Sequence, residues 1–215
     1  SSTCFQTVTV NGEVAVAIQC APTVVVNTTP NLCTATIPPA SLVPPTVTMG
    51  CGTVTFTRQR SDFLSFTAPY PIGNTTITWF ANNGFGDVVA TCTQTITVVD
   101  NQAPVITSCP ATLNLEGCGT DAILASSALP YSPDETTITS TQFIEEGGSV
   151  TENCGSISSI TYKDVISGTC PIVVTRTFTI KDAADNVSTC DQIINIDDTT
   201  APVWTTAADA LDTTI

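Results

Sequence analysis

The sequence predicts an all-β fold of tandem sandwich modules stapled by disulfides, and three observations carry that expectation. Val, Ile and Thr dominate a chain in which only 11% of residues are charged, and β-branched side chains fit a pleated, half-buried surface better than a helix. Ten cysteines occur without a single histidine. One strand-like segment also recurs three times at domain-sized intervals.

The balance of charge excludes some partners at once. The net charge is -14 and the only basic residues are Arg58, Arg60, Lys163, Arg176 and Lys181. Such a surface repels nucleic acid and anionic lipid. No apolar run approaches the roughly 18 residues that a spanning helix needs, so no membrane insertion is expected in this segment. The cysteines lack a C-x-x-C pair and have no histidine to join them, which argues against zinc and for disulfides made in an oxidising, extracellular compartment.

The repeat sets the domain organisation. "STCFQTVTV" at 2–10 matches "ATCTQTITV" at 90–98 and "STCDQIINI" at 188–196, placing Cys4, Cys92 and Cys190 at spacings of 88 and 98 residues. "CAPTVVVNTTPNLCTA" from Cys20 matches "CPATLNLEGCGTDA" from Cys109, and "GCGTVTFT" around Cys51 matches "NCGSISSI" around Cys154. Periods of this length are domains rather than solenoid turns. "DDTTAPVWTTAADALDTTI" from Asp197 restarts the pattern of "VDNQAPVITSCPATLNLEG". The expected organisation is therefore a window on a longer array: the last strand of a module (1–10), two full modules (11–100 and 101–198) and the start of another (199–215).

Within the modules, "NTTITWFA" (74–81) puts Thr76 and Thr78 on one face and Ile77 and Trp79 on the other. "VVTRTFTI" (173–180) sets Thr175, Thr177 and Thr179 against Val174, Phe178 and Ile180. Period-two alternation marks strands with one buried face. Arg176 interrupts the apolar face, and its stem is expected to lie along that face with the guanidinium in water. Pro- and Gly-bearing stretches such as "PPASLVPP" and "APYPIG" read as turns or edges. About seven short strands in roughly 90 to 100 residues match an immunoglobulin-like sandwich.

These residues also carry a family likeness. "YPIGNTTITWFANNGFGDVVATCTQTITVVDNQAP" resembles the hyalin-repeat module, which closes on a Pro-x-Gly turn, a Trp- or Tyr-bearing strand, an Asp-containing hairpin and a Cys strand before the next Asp-x-x-x-Pro. "GTCPIVVTRTFTIKDAADNVSTCDQIINIDDTTAPVW" is similar to the variant reiterated in very large cell-surface proteins of Bacteroidetes, among them gliding-motility adhesins exported by type IX secretion. In that variant the hairpin reads D-A-C-G-N. Here it reads "DAADN", with Ala184 in place of a Cys that could have paired with Cys170.

The resemblance implies Cys20–Cys92 and Cys109–Cys190 bridges, with Cys33–Cys51 and Cys118–Cys154 as the second bridge of each module. Cys4 is then left for a preceding unit and Cys170 has no assigned partner, while a Cys154–Cys170 link stays open. The linkers "DNQAP" and "DDTTAP" resemble those of cadherin-like arrays. Asp100, Asn101, Asp197 and Asp198 could there hold calcium, with Asp87 or Asp185 completing a site. The competing reading, that Asp and Asn end the strand by bonding local backbone, is preferred because no EF-hand spacing is present.

Catalysis is not expected. Without histidine there is no Ser-His-Asp triad or Cys-His dyad, and the two "DTT" triplets fall at a module boundary and inside the last fragment. Trp79, Phe80, Phe85 and Tyr70 could form a sugar-stacking platform, although alternating aromatics are more often core. Asn27, Asn74 and Asn186 fit the N-glycosylation pattern, and in a Bacteroidetes protein Thr199 and Thr213 would be O-glycan acceptors.

The expected function is a rigid spacer or adhesive array in an extracellular adhesin or surface fibre. Its partners would be neighbouring modules, surface glycans, or further copies of itself in a fibre. The alternatives are a self-assembling filament subunit and carbohydrate-binding modules attached to a secreted enzyme.

Overall fold

A computed structural model describes residues 15–50 and 53–203. The chain divides into two units, Ser1–Gln102 and Ala103–Ile215, so the first extends two residues past the boundary that the repeat alone suggests. The architecture is all-β in both, as the composition predicts: tandem immunoglobulin-like sandwiches stapled by disulfides.

In the first unit the strands are β1 (Ala17–Gln19), β2 (Val24–Asn27), β3 (Thr34–Ala35), β4 (Thr46–Met49), β5 (Thr55–Arg60), β6 (Tyr70–Pro71), β7 (Gly73–Asn82) and β8 (Val88–Val99). The main sheet has the order β2-β8-β7-β5, and the pairs β1-β4 and β3-β6 complete the unit. In β7, Ile77 and Trp79 point inward, where they pack with Tyr70, Ile96 and Val98. Thr76 and Thr78, which alternate with them, lie on the opposite face.

The second unit contains β9 (Val105–Ser108), β10 (Leu113–Glu116), β11 (Thr136–Ile138), β12 (Ser149–Thr151), β13 (Ile157–Gly168), β14 (Ile172–Asp182) and β15 (Val187–Asp197). Its main sheet has the order β10-β15-β14-β13-β11, with β12 paired to β9. Ile106 of β9 and Val150 of β12 pack on a core of Ile160, Tyr162, Phe178 and Ile180. One helix, α1 (Ser140–Glu145), departs from the all-strand expectation. It is held by a capping box in which Thr139 and Gln142 satisfy each other's backbone amides, and it buries Phe143. The T-x-x-Q spacing is a readable start signal.

The Cys strands of the two units keep the same neighbours in the same register. In each, the Cys strand lies between an antiparallel and a parallel neighbour: β8 between β7 and β2, β15 between β14 and β10. Trp79 sits opposite Cys92 as Phe178 sits opposite Cys190, and Ile77 opposite Gln94 as Arg176 opposite Gln192. The Gln94 side-chain amide donates to the Pro22 carbonyl at 3.2 Å. Gln192 donates to the matching Ala111 carbonyl at 2.9 Å.

The disulfides follow from this frame. Cys20 bonds Cys92 with Cα atoms 5.8 Å apart, and Cys109 bonds Cys190 at 6.0 Å. Each closes a loop worth about 4 kcal/mol in the chain-entropy model. The third bridge corrects the expected Cys118–Cys154 pair: Cys118 is bonded to Cys170. Parallel pairing of β10 with β15 carries Cys118 to the end of the sheet where β13 turns into β14, and Cys170 lies in that turn. Cys154 precedes β13 at its other end, roughly 35 Å away along an extended strand. Ala184 lies at that same far end, in the turn after β14, so a cysteine there could not have met Cys170. Cys51 and Cys4 lie outside the described residues, and with them the expected Cys33–Cys51 bridge.

Arg176 also corrects an expectation. Its guanidinium does not reach water; the residue is fully buried, and so is the side chain of Asp164. Arg176 Nε and Nη2 donate to the two Asp164 carboxylate oxygens at 2.8 and 2.9 Å, and further donations reach the Pro130 carbonyl and Ser127 Oγ. The register places Asp164 opposite Arg176 on the neighbouring strand, so the pair is built into the sheet. The Arg176 guanidinium also lies 4.5 Å from the Tyr162 ring centroid. Removing one member of such a pair strands a buried charge and costs about 3 to 5 kcal/mol. Asp164→Ala should therefore lower the stability of the second unit by that amount in denaturant melts, whereas Asp164→Leu combined with Arg176→Met should lose clearly less.

Candidate functional site

The sequence singles out the acidic residues at the ends of the modules. In the first unit, Asp100 follows β8 and is buried, and its Oδ1 accepts from the Gln102 amide at 3.1 Å. Asn101 is met by Thr28, whose hydroxyl approaches Asn101 Oδ1 at 3.3 Å. Gln102 then fastens the segment, since its side-chain amide donates to Thr28 Oγ1 and to the carbonyls of Thr29 and Leu32.

In the second unit the same role falls on Glu116. Its Oε1 accepts from the amides of Thr199 and Thr200 at 2.8 and 2.9 Å, and its Oε2 accepts from the Thr199 hydroxyl at 2.7 Å. Asp198 Oδ1 takes a second bond from the Thr200 amide at 3.2 Å. Glu116, at the end of β10, is a residue that the sequence reading passed over. It lies opposite Asp197, the last residue of the Cys strand, a placement that only the parallel register reveals.

Asp87 and Asp185 lie elsewhere in their units. Asp87 lies in the β7–β8 turn, at the opposite end of the 12-residue β8 from Asp100. Asp185 stands in the β14–β15 turn, at the opposite end of β15 from Asp197 and Asp198. Asp100 Oδ1, Asp198 Oδ1 and both Glu116 oxygens accept from nearby amides and hydroxyls, as in Asx-type turns.

The two long hairpins share a second device. In the first unit Asn83 Oδ1 accepts from the amides of Phe85 and Asp87, both at 2.9 Å. In the second, Asp182 Oδ1 accepts from the amides of Ala184 and Asn186 at 2.8 and 2.9 Å. The side chains at the first and last positions also bond to each other in both, with Asn and Asp exchanged. The turn holds Phe85 in solvent, 95% exposed.

That exposure dissolves the proposed sugar platform. Trp79 and Tyr70 are core residues, Phe80 lies on the outer sheet face, and Phe85 is alone on its turn. Tyr70 is covered on one face by the Arg60 guanidinium at 3.8 Å, and burial pushes its hydroxyl pKa up. Arg60 itself is buried, donating to Asp62 and to the carbonyls of Ser65, Ala68 and Pro69. The Arg60 hydrogen bond in turn holds the Asp62 carboxyl below its ordinary value.

Among the glycosylation candidates, Asn27 and Asn74 are exposed, and Asn74 accepts from the Thr97 hydroxyl. Asn186 is half-buried, its amide committed to Asp182. Thr199 is exposed but donates to Glu116, and Thr213 lies outside the described residues.

No family model matches the sequence, and no curated protein matches it. Solved structures do resemble it. The extracellular cadherin domains 1–4 of protocadherin gamma B7 are similar at 14% identity and a TM-score of 0.29, over 86% of this chain and 51% of that one. The human mucin-like protocadherin EC1-2 is similar at 10% identity and a TM-score of 0.33, over 84% and 97%. An endo-fucoidan hydrolase of glycoside hydrolase family 107 is similar at 18% identity and a TM-score of 0.24, over 69% of this chain. This chain spans only 24% of that hydrolase, and the likeness does not establish an enzymatic activity. The disulfides fit a secreted or extracellular protein. No helix among the described residues is long and apolar enough to cross a membrane.

The Glu116 strap gives a pH test. Hydrogen bonds from Thr199 and Thr200 depress its pKa from 4.5 to about 2. A depressed carboxylate contributes fully above its unfolded value and loses that contribution as pH falls through its folded value. The Thr199 and Thr200 amide proton shifts should therefore titrate with a midpoint near 2. In Glu116→Gln that transition should be absent.

Proposed function

We propose that the chain is a stretch of an extracellular array of hyalin-repeat-like modules, of the kind reiterated in bacterial surface adhesins, and that its modules serve as rigid spacers presenting adhesive surfaces. One observation supports this reading above the others. In each unit the segment entering the sandwich is bonded covalently to the strand that leaves it. Tension applied at Cys20 passes through the disulfide to Cys92 and along β8 to Asp100, so the intervening residues carry no load. The second unit repeats the path from Cys109 through Cys190 to Asp197. What lies outside the disulfide is still held in shear, because β2 and β8 are parallel, as are β10 and β15.

This is a design for length and stiffness. A site built once would not need the same glutamine latch, the same capped hairpin and the same staple in both halves. Cell-surface location and binding to neighbouring modules or surface glycans belong to this proposal. The carbohydrate-platform alternative loses support because Trp79 and Tyr70 are core residues.

Force spectroscopy on the chain tests the reading directly. Under oxidising conditions each unit should yield little extension, because 72 and 81 residues of separation are closed by the staples. Reductant should release roughly 250 and 280 Å of additional chain. Full-length extension before reduction would rule out the covalent force path.

A further inference from the structure

The two main sheets differ at one edge. In the second unit β13 is covered by β11, which pairs antiparallel to it with Thr136 opposite Tyr162 and Ile138 opposite Ile160. In the first unit the matching strand is β5, and among the described residues no strand pairs with its outer side. The segment just before it forms β4, which pairs with β1 instead. Register fixes the correspondence. Phe56 lies opposite Ala81 as Ile160 lies opposite Ile180, and Arg58 opposite Trp79 as Tyr162 opposite Phe178.

The backbone of β5 is turned to accept a strand. The Ser61 amide donates to the Thr76 carbonyl, so Ser61, Gln59, Thr57 and Thr55 hydrogen-bond toward β7. The alternate residues Phe56 and Arg58 therefore direct N–H and C=O groups outward. A row of outward backbone groups is a template for another strand.

The side chains beside that edge also await a partner. A groove of about 390 Å³ is lined by Pro39, Leu42, Pro44, Phe56, Arg58 and Trp79. Trp79 is 3% exposed and its indole N–H is buried with no acceptor, an arrangement that costs free energy unless an acceptor arrives. The Arg58 guanidinium is stacked 4.3 Å from the Phe66 ring centroid and 5.1 Å from that of Trp79. Its hydrogen bond to the Leu42 carbonyl is long, at 3.4 Å. At the matching places the second unit has Tyr162 and Phe178, and Phe178 carries no donor.

We propose that β5 is a strand-accepting site. Its occupant is an extended acidic segment of a partner protein, added antiparallel to β5 as β11 is added to β13. An aliphatic residue opposite Phe56 would enter the groove, and a residue two positions earlier would face Arg58, where a carboxylate complements the guanidinium and the indole N–H. Main-chain bonds would supply affinity and the groove specificity. The inference goes beyond the spacer reading and does not depend on it, because an open edge of this kind can sit on a module of any function.

The test uses the full chain and a fluorescein-labelled peptide, Asp-Glu-Glu-Thr-Ile-Thr, which follows residues 134–139, the segment that covers the matching edge of the second unit, with glutamate at the position of Thr136 so that a carboxylate faces Arg58. Anisotropy should show saturable binding, and backbone amide shifts should move in Thr55–Arg60 rather than in β13. N-methylation of the peptide at the positions of Thr136 or Ile138, whose amides would face β5, should weaken binding by about tenfold or more. N-methylation at the position of Thr137, which faces away, should change it little. Arg58→Glu should weaken binding by a similar factor through charge reversal. Absence of binding, equal sensitivity to all three N-methylations, retention of affinity in Arg58→Glu, or shifts confined to β13 would each overturn the proposal. The N-methyl series needs no altered protein, so it stands even if the Arg58 variant folds poorly.

Discussion

Each unit is organised around the strand that carries Cys-x-Gln. β8 and β15 are the strands hydrogen-bonded on both sides within a frame that also fixes the beginning of the unit. The disulfide at Cys92 or Cys190 and the amide latch at Gln94 or Gln192 act two residues apart, on the inward face of the same strand. Both reach the segment just before the parallel neighbour. A parallel pair is topologically demanding, because its strands cannot be joined by a short turn. Here the second and last strands of a unit form that pair, and the chain between them builds most of the sandwich. The covalent bond removes from the unfolded chain much of the freedom that closing so long a loop would otherwise cost.

A buried guanidinium recurs in both units, supplied from different strands. Arg176 of β14 faces Asp164 of β13. In the first unit the place of Asp164 is taken by Arg60 and that of Arg176 by Ile77. The charge moves across the strand pair, and its counter-ion moves with it, to Asp62 in the loop that follows. In each case the guanidinium meets carbonyl oxygens of a neighbouring loop and the face of a tyrosine, Tyr70 or Tyr162. What repeats is a way of satisfying loop carbonyls from inside the sandwich. Irregular loops expose carbonyls that no strand can pair, and an arginine presents five donors in a fixed fork.

The fold was legible in the sequence because period-two alternation and domain-spaced repetition are both local signals. Thr175, Thr177 and Thr179 announce the outer face of β14 without any knowledge of its neighbours. The pairing of Cys118 was not legible, since it depends on which end of a 12-residue strand a turn occupies. Arg176 was misread for a related reason: a lone cation on an apolar face looks like a snorkelling side chain until the register shows Asp164 directly opposite. The bonds that Asp100 and Asp198 accept from the amides two residues on could be anticipated from local turn chemistry. Glu116 could not, because its partners Thr199 and Thr200 lie more than eighty residues away in sequence.

The capped hairpins show which physical property the repeat preserves. Asn83 and Asp87 in one unit become Asp182 and Asn186 in the other, yet each first residue accepts from the amides two and four positions on, and each pair bonds side chain to side chain. The turn requires an sp² oxygen at the first position, and either residue has one. The side-chain bond requires one donor and one acceptor, and it works in either order. Formal charge is therefore free to move from one end of the turn to the other while the backbone stays fixed, with a positive φ at Gly86 in one unit and Asp185 in the other. Glycine meets that conformation without penalty, and Asp is among the residues that tolerate it best. The same latitude explains why Phe85 and Ala184 can occupy one position: the capped turn holds its backbone without help from the side chain at its tip, and that position is left open to whatever contact the module needs.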